Sequence, residues 1–161
     1  MPDAFVGIGS NADPKRALRA AVAALERLGP VRCSSVYRSA PFRGVGADYL
    51  NMVAALTTSL SIAALRDALC TIEAAAGRRR IDPAVCELDL DLLLYGLRVD
   101  AGERLPRPGL FTLPFVLGPL AELAPELAHP VTGETARAAQ QAAGPAALAG
   151  LENLGSVRAL G

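Results

Sequence analysis

The chain has 161 residues, 52% of them hydrophobic, and its 16 basic and 16 acidic residues cancel to a formal net charge of zero. That length and apolar content fit one domain over residues 1–161, able to bury a full core without disulfide or metal staples, and the balanced charge excludes a bulk nucleic-acid binder or a membrane-surface binder. Cys33, Cys70 and Cys86 are odd in number and form no C-x-x-C pair, which argues against a disulfide framework or a zinc knuckle.

Residues 1–10 lack the basic region and long apolar run of a signal peptide. The apolar stretches near 49–65 and 105–121 are broken by polar residues or prolines, so neither is expected to span a bilayer, and the chain reads as cytoplasmic. In chain order, Ala4 to Ser10 reads as a short buried strand. Asp13 and Pro14 follow as an expected N-cap and first helical residue, with Leu18, Val22, Leu25 and Leu28 forming an apolar stripe and Gly29 a stop. The Gly9-Ser10-Asn11 turn offers backbone N–H groups to a phosphate, but without a full G-x-G-x-x-G a plain tight turn is the stronger reading.

Val31 to Arg38 alternates loosely and leads into a loop punctuated by proline and glycine, Ser39 to Asp48. Tyr49 to Leu60 reads as a long strand with Tyr49, Asn51, Val53, Ala55 and Thr57 on one side. Tyr49 and Asn51 there offer a stacking surface beside an amide able to pair with a heterocycle's edge; ordinary strand residues would look the same. Ser61 is expected to cap a helix with the stripe Ile62, Leu65, Leu69 and Ile72, ending near Glu73 and Gly77. Arg78-Arg79-Arg80 follows, in the loop before Glu87-Leu88-Asp89-Leu90-Asp91.

In that last stretch a strand places leucines on one face and acids on the other. Carboxylates two residues apart, roughly 6.8 Å along a strand, can share hard cations. A half-buried strand with a solvated polar face is the competing reading. The arginines just upstream favour the first, because metals on carboxylates and arginines on phosphate oxygens are the working parts of phosphoryl transfer. Beyond Tyr95, a short strand is expected near Leu97–Val99, then a helix over 113–123 capped by Thr112 and bent at Pro119, and another over 134–143. The order β-α-β-β-α-β followed by helices fits an α+β sandwich of the ferredoxin-like type, a mainly antiparallel four-stranded sheet flanked by helices.

The segments Val6–Asn11, Ser34–Pro41, Asp48–Asn51, Ile72-Glu73, Leu88–Asp91, Phe115–Leu120 and Ala124–Pro130 together resemble the 6-hydroxymethyl-7,8-dihydropterin pyrophosphokinase family over nearly the whole chain. The resemblance implies attack of a pterin hydroxymethyl oxygen on the β-phosphorus of ATP, releasing AMP in folate biosynthesis. It further implies that Asp89 and Asp91 hold two Mg²⁺ ions and that Tyr49 and Phe115 sandwich the pterin. Asn51 would pair with the ring's edge, and Ser39 and Phe42 would complete the substrate pocket. Arg78 would act on the phosphates. Glu73, Arg80 and Arg107 are this chain's own candidates for the nucleotide side. Pterin and ATP are the implied partners, with no nucleic acid or membrane, for a monomer or weak homodimer.

The chain departs from that family in the loop before the acidic strand. The family carries Trp-Gly-Pro-Arg-Thr there; this chain has Pro83-Ala84-Val85-Cys86-Glu87, is about two residues shorter, and contains no tryptophan. A second catalytic arginine is thus Cys86, Cys70 replaces a polar residue used on the nucleotide side, and Leu113 stands near the position of a further arginine. Two readings stay open. One is an active pyrophosphokinase in which Arg79, Arg80 or Arg107 substitutes for the missing cation. The other is an impaired or redirected paralogue that keeps the pterin pocket, since a thiol offers only a weak donor where an arginine offers a charged fork. His129, the one histidine, falls in a loop before Pro130 and reads as structural.

Overall fold

The computed structural model describes residues 1–161. Its elements are β1 (Asp3–Ser10), α1 (Pro14–Glu26), β2 (Val31–Cys33), β3 (Tyr37–Ser39), β4 (Tyr49–Thr57), α2 (Ile62–Ala75), β5 (Asp89–Tyr95), α3 (Pro114–Leu123), α4 (Ala136–Leu148) and β6 (Glu152–Asn153). The sheet order is β5-β1-β4-β3-β6, with β2 also on β4, and every ladder is antiparallel. Taking β2 and β3 as two halves of one strand, this is the ferredoxin-like order with one extra edge strand supplied by the chain's end. The expected second strand is split because the Ser34 hydroxyl and amide bond β4 at Val53 while Val36 turns to pair with Leu154 and Gly155, so Ser34–Val36 leaves the ladder between the halves.

One face of the sheet carries α1 and α2. Val6, Ile8, Leu88, Leu90 and Leu92 point to it and meet Leu18, Leu25, Leu65 and Leu69 in a core cluster of 20 buried residues. The other face carries α3, where Phe5, Val53, Ala55, Leu93 and Leu94 meet Val116 and Leu120. Between Phe5 and Val6 the β1–β5 register slips, so that Phe5 faces Leu94 and Val6 faces Leu92 with Leu93 left over. This bulge turns Leu93 and Leu94 together toward α3. Asp89 and Asp91 alternate with Leu88, Leu90 and Leu92, so they face the same side as α3, at the end of β5 that α3 leaves uncovered.

Ser61 caps α2 as expected, accepting from the Ala64 amide. Asp13 does not cap α1: it sits in the left-handed region at φ 46° with no side-chain bond to the helix, and Pro14 starts the helix through its fixed φ. The cap of α3 is Leu113 rather than Thr112, again with proline next. The expected strand at 97–99 reduces to a turn and one bridge, Asp100 to Leu105. The last helix begins after Thr135, which accepts from the Ala138 amide, and continues past a kink at Gly144, where Pro145 opens a fresh turn. No helix is long and apolar enough to cross a membrane.

Candidate active site

A cleft of about 610 Å³ opens over the α3 face where β1, β4 and β5 run out from under that helix. Its floor is set by strand register. Gly9 lies between Asn51 on β4 and Asp89 on β5, and Gly7 lies between Val53 and Asp91. Both glycines line the cleft and present no side chain to it. A Cβ on Gly9 would come within 2.8 Å of Asn51 Oδ1. The row Asp89-Gly9-Asn51 therefore leaves an open trough two strand spacings wide, roughly 10 Å, between an acidic wall and an amide wall.

On the amide wall, Asn51 is buried and its Nδ2 donates to Ser39 Oγ at 2.9 Å, which directs its Oδ1 back over Gly9. Ser39 pairs with Tyr49 across the β3–β4 ladder, so Ser39, Tyr49 and Asn51 form one patch. Phe115, in the first turn of α3, and Phe42, from the 40–48 loop, close this end with ring centroids 5.7 Å apart, edge to face. Phe42 is 72% exposed, standing at the mouth.

On the acidic wall each carboxylate holds an arginine. Arg78 Nη1 lies 2.6 Å from Asp89 Oδ1 and donates to the Leu88 carbonyl at 2.8 Å. Arg107 Nη2 lies 3.1 Å from Asp91 Oδ1. Burial and the neighbouring Asp89 carboxylate push Asp91 up to about 6, with Arg107 opposing the shift. The two neighbouring carboxylates offer only hard oxygen donors, which suits Mg²⁺. No group of three or more His, Cys, Asp or Glu side chains is placed to enclose a metal, so an ion here would complete its shell from phosphate oxygens and water.

Glu73 is not part of the cleft wall. At 7% exposure it lies behind the arginines. Its Oε1 accepts from the Leu90 amide at 2.8 Å and approaches Arg78 at 3.4 Å, while Oε2 lies 3.6 Å from Arg80. Arg80 and Arg107 line the cleft; Arg79 does not, and approaches Glu87 at 3.7 Å. Cys86 lines it as a buried thiol against Tyr49, and burial pushes both their pKa values up, so the thiol is neutral.

Asn11 ties the surrounding loops together. Its Nδ2 donates to the carbonyls of Ala84 and Ala47, its Oδ1 accepts from the Cys86 amide, and its own amide donates to the Cys86 carbonyl. The Gly9-Ser10-Asn11 turn is thus a structural clasp whose Asn11 N–H is already occupied. His129 is structural as well: its Nδ1 accepts from the amides of Val131 and Thr132, and its ring meets Phe111. Sequence reasoning missed the glycine floor, whose signal was the G-I-G alternation opposite Val6 and Ile8. It also missed Arg43 and Arg104, cleft-lining cations that no spacing marked.

Residues 5–125 match the family model described as 7,8-dihydro-6-hydroxymethylpterin-pyrophosphokinase. Similar relatives include the 2-amino-4-hydroxy-6-hydroxymethyldihydropteridine pyrophosphokinases of Synechocystis sp., 41% identical over 139 residues that cover 82% of this chain and 71% of the relative, and of Methylorubrum extorquens, 38% identical over 149 residues that cover 86% and 92%. Among solved structures, the Plasmodium falciparum HPPK-DHPS chain superposes with a TM-score of 0.69 at 11% identity, over 88% of this chain. It shares the fold, and the present chain spans only 43% of its length.

Proposed function

The chain belongs to the 7,8-dihydro-6-hydroxymethylpterin-pyrophosphokinase family, and from that premise we propose that its cleft moves a pyrophosphoryl group from ATP to the hydroxymethyl oxygen of 6-hydroxymethyl-7,8-dihydropterin. The observation that carries this reading is the trough itself: an amide-and-aromatic wall and a carboxylate-and-arginine wall face each other across a glycine floor wide enough for one bicyclic ring.

In this reading Tyr49 and Phe115 take the two faces of the pterin and Asn51, braced by Ser39, pairs with its edge. The ring then lies along Gly9 with its hydroxymethyl group directed at the acidic wall. Asp89 and Asp91 would hold Mg²⁺, two ions by the resemblance, which would neutralise phosphate charge and ease loss of the proton from the attacking hydroxyl. Arg78, positioned by Leu88 and Glu73, grips phosphate oxygens, and Arg80 extends the same wall. The hydroxymethyl oxygen attacks the β-phosphorus and gives up its proton to water, the bond from that phosphorus to the α–β bridging oxygen breaks, and AMP leaves. The gain comes from holding the two reactants in line and from charge fixed in advance where the transition state spreads it.

The three free cysteines suit the reducing cytosol. The deciding experiment mixes the protein, Mg²⁺, ATP and 6-hydroxymethyl-7,8-dihydropterin and follows the adenine nucleotide. AMP appearing in step with pterin pyrophosphate supports the reading; ADP, or no pterin-dependent turnover, overturns it.

A further inference from the structure

The cleft wall formed by the 81–87 loop contributes a neutral, buried thiol at Cys86 and no cation of its own beyond Arg80 at its root. Arg107 lines the cleft from the segment that follows β5. Its backbone amide donates to the Leu93 carbonyl of β5 at 2.9 Å, which fixes its origin to the strand that carries the acids. Its guanidinium lines the cleft and meets Asp91 at 3.1 Å. We infer that Arg107 is the second phosphate-binding cation of this site, stored on Asp91 in the free protein and handed to the nucleotide when the carboxylate takes a metal.

The other cations fit this role less well. Arg79 points away, with its side chain 75% exposed and no place in the cleft wall. Arg80 is drawn toward the buried Glu73 carboxylate. Arg43 and Arg104 line the cleft, yet neither pairs with a carboxylate there, so neither is released by metal uptake. Arg78 and Arg107, by contrast, form matched pairs with Asp89 and Asp91. In the free protein each acid is neutralised by its arginine. With a metal-bound nucleotide in place, the carboxylates face metal and both guanidiniums face phosphate oxygens, so no half-buried charge stands alone in either state. The low turnover that a thiol at position 86 implies by itself is thereby offset by Arg107.

The inference rests on the pyrophosphokinase reading, and calorimetry with an ATP analogue carrying a methylene between its α- and β-phosphorus tests the phosphate contact without turnover. With Mg²⁺, Arg107→Gln should bind the analogue about tenfold to a hundredfold more weakly than the parent, the loss of a charged hydrogen bond, and Arg107→Lys should fall between them. Pterin affinity should hold in both variants. In turnover, kcat of Arg107→Gln should fall about 10²–10³. Guanidinium added at sub-denaturing concentration should raise the rate of Arg107→Ala, a rescue that a merely structural role would not show. Arg79→Gln should match the parent throughout. Analogue binding by Arg107→Gln as tight as the parent's, or no rescue of Arg107→Ala, overturns the inference. A parent that yields no AMP overturns the pyrophosphokinase reading instead, and the calorimetric comparison still decides the role of Arg107.

Discussion

Gly9 is the residue on which the two halves of the cleft depend, because it separates Asn51 from Asp89 while adding nothing between them. Asn51 and Gly9 can be tested as a pair. Asn51→Ala removes the amide proposed to read the pterin edge and should weaken pterin binding by about 1–3 kcal/mol, the cost of leaving a buried polar edge unpaired. Gly9→Ala leaves the amide present but places a methyl where Asn51 Oδ1 now lies, 2.8 Å away, and the neighbouring Tyr49 ring at 3.7 Å limits where the amide can go. It should lower pterin affinity to a similar extent while leaving the binding of the Mg²⁺-nucleotide unchanged. Titrating each ligand separately against both variants checks this; unaltered pterin affinity in both would remove the amide wall from the site.

At the scale of elements, β5 works because α2 reaches behind it. Glu73, in the last turns of α2, accepts the Leu90 amide of β5 and approaches two arginines of the connecting loop, so one carboxylate sets the strand's edge and the aim of Arg78. Two substitutions separate these tasks. Glu73→Ala leaves the Leu90 amide buried without an acceptor and should cost about 1–3 kcal/mol in urea denaturation. Glu73→Gln keeps a carbonyl for that amide but loses the charge that holds Arg78, so stability should be largely kept while Mg²⁺-dependent nucleotide binding weakens. Equal stability for the two variants would show that the Leu90 bond contributes nothing.

The same element shows what a sequence can reveal. The leucine-acid alternation of β5 and the stripe and cap of α2 are periodic signals, and both formed as read. The position of Glu73 behind the wall rather than in it is set by how α2 packs on the sheet, which no local pattern carries. The break between β2 and β3 was equally hidden, since Ser34 leaves the ladder by bonding a strand some 19 residues further on. Asp13 misled because a good capping side chain and a left-handed backbone are incompatible at one position, and proline supplied the start instead. The residues proposed for the pterin were suggested by the family resemblance and the acids by charge; the glycine floor needed the register of three strands at once.

For the whole molecule, one sheet serves two cores. The α1/α2 cluster and the α3 cluster share β1, β4 and β5, so neither can open without exposing the other's strands. The chain should therefore melt in a single cooperative transition, with circular dichroism and near-ultraviolet signals coinciding. If pterin and nucleotide bind as proposed, they engage different strands of that one sheet and should each raise the midpoint. A ligand at a hundred times its dissociation constant adds about 2.7 kcal/mol, and at about 2–4 °C per kcal/mol for a chain of this size the rise is roughly 5–10 °C. Asp91→Ala divides the two effects. Its carboxylate is already strained by burial beside Asp89, so its loss should leave the unliganded midpoint within a few degrees of the parent's. The rise given by the Mg²⁺-bound methylene analogue of ATP should vanish, and the rise given by pterin should remain. Calorimetric melts of parent and variant, with each ligand and with chelator, read all of these together. A nucleotide-induced rise that survives in Asp91→Ala, or that persists in the parent when chelator removes the metal, would mean that β5 shows its acids to water alone and that the nucleotide is held by arginines without them.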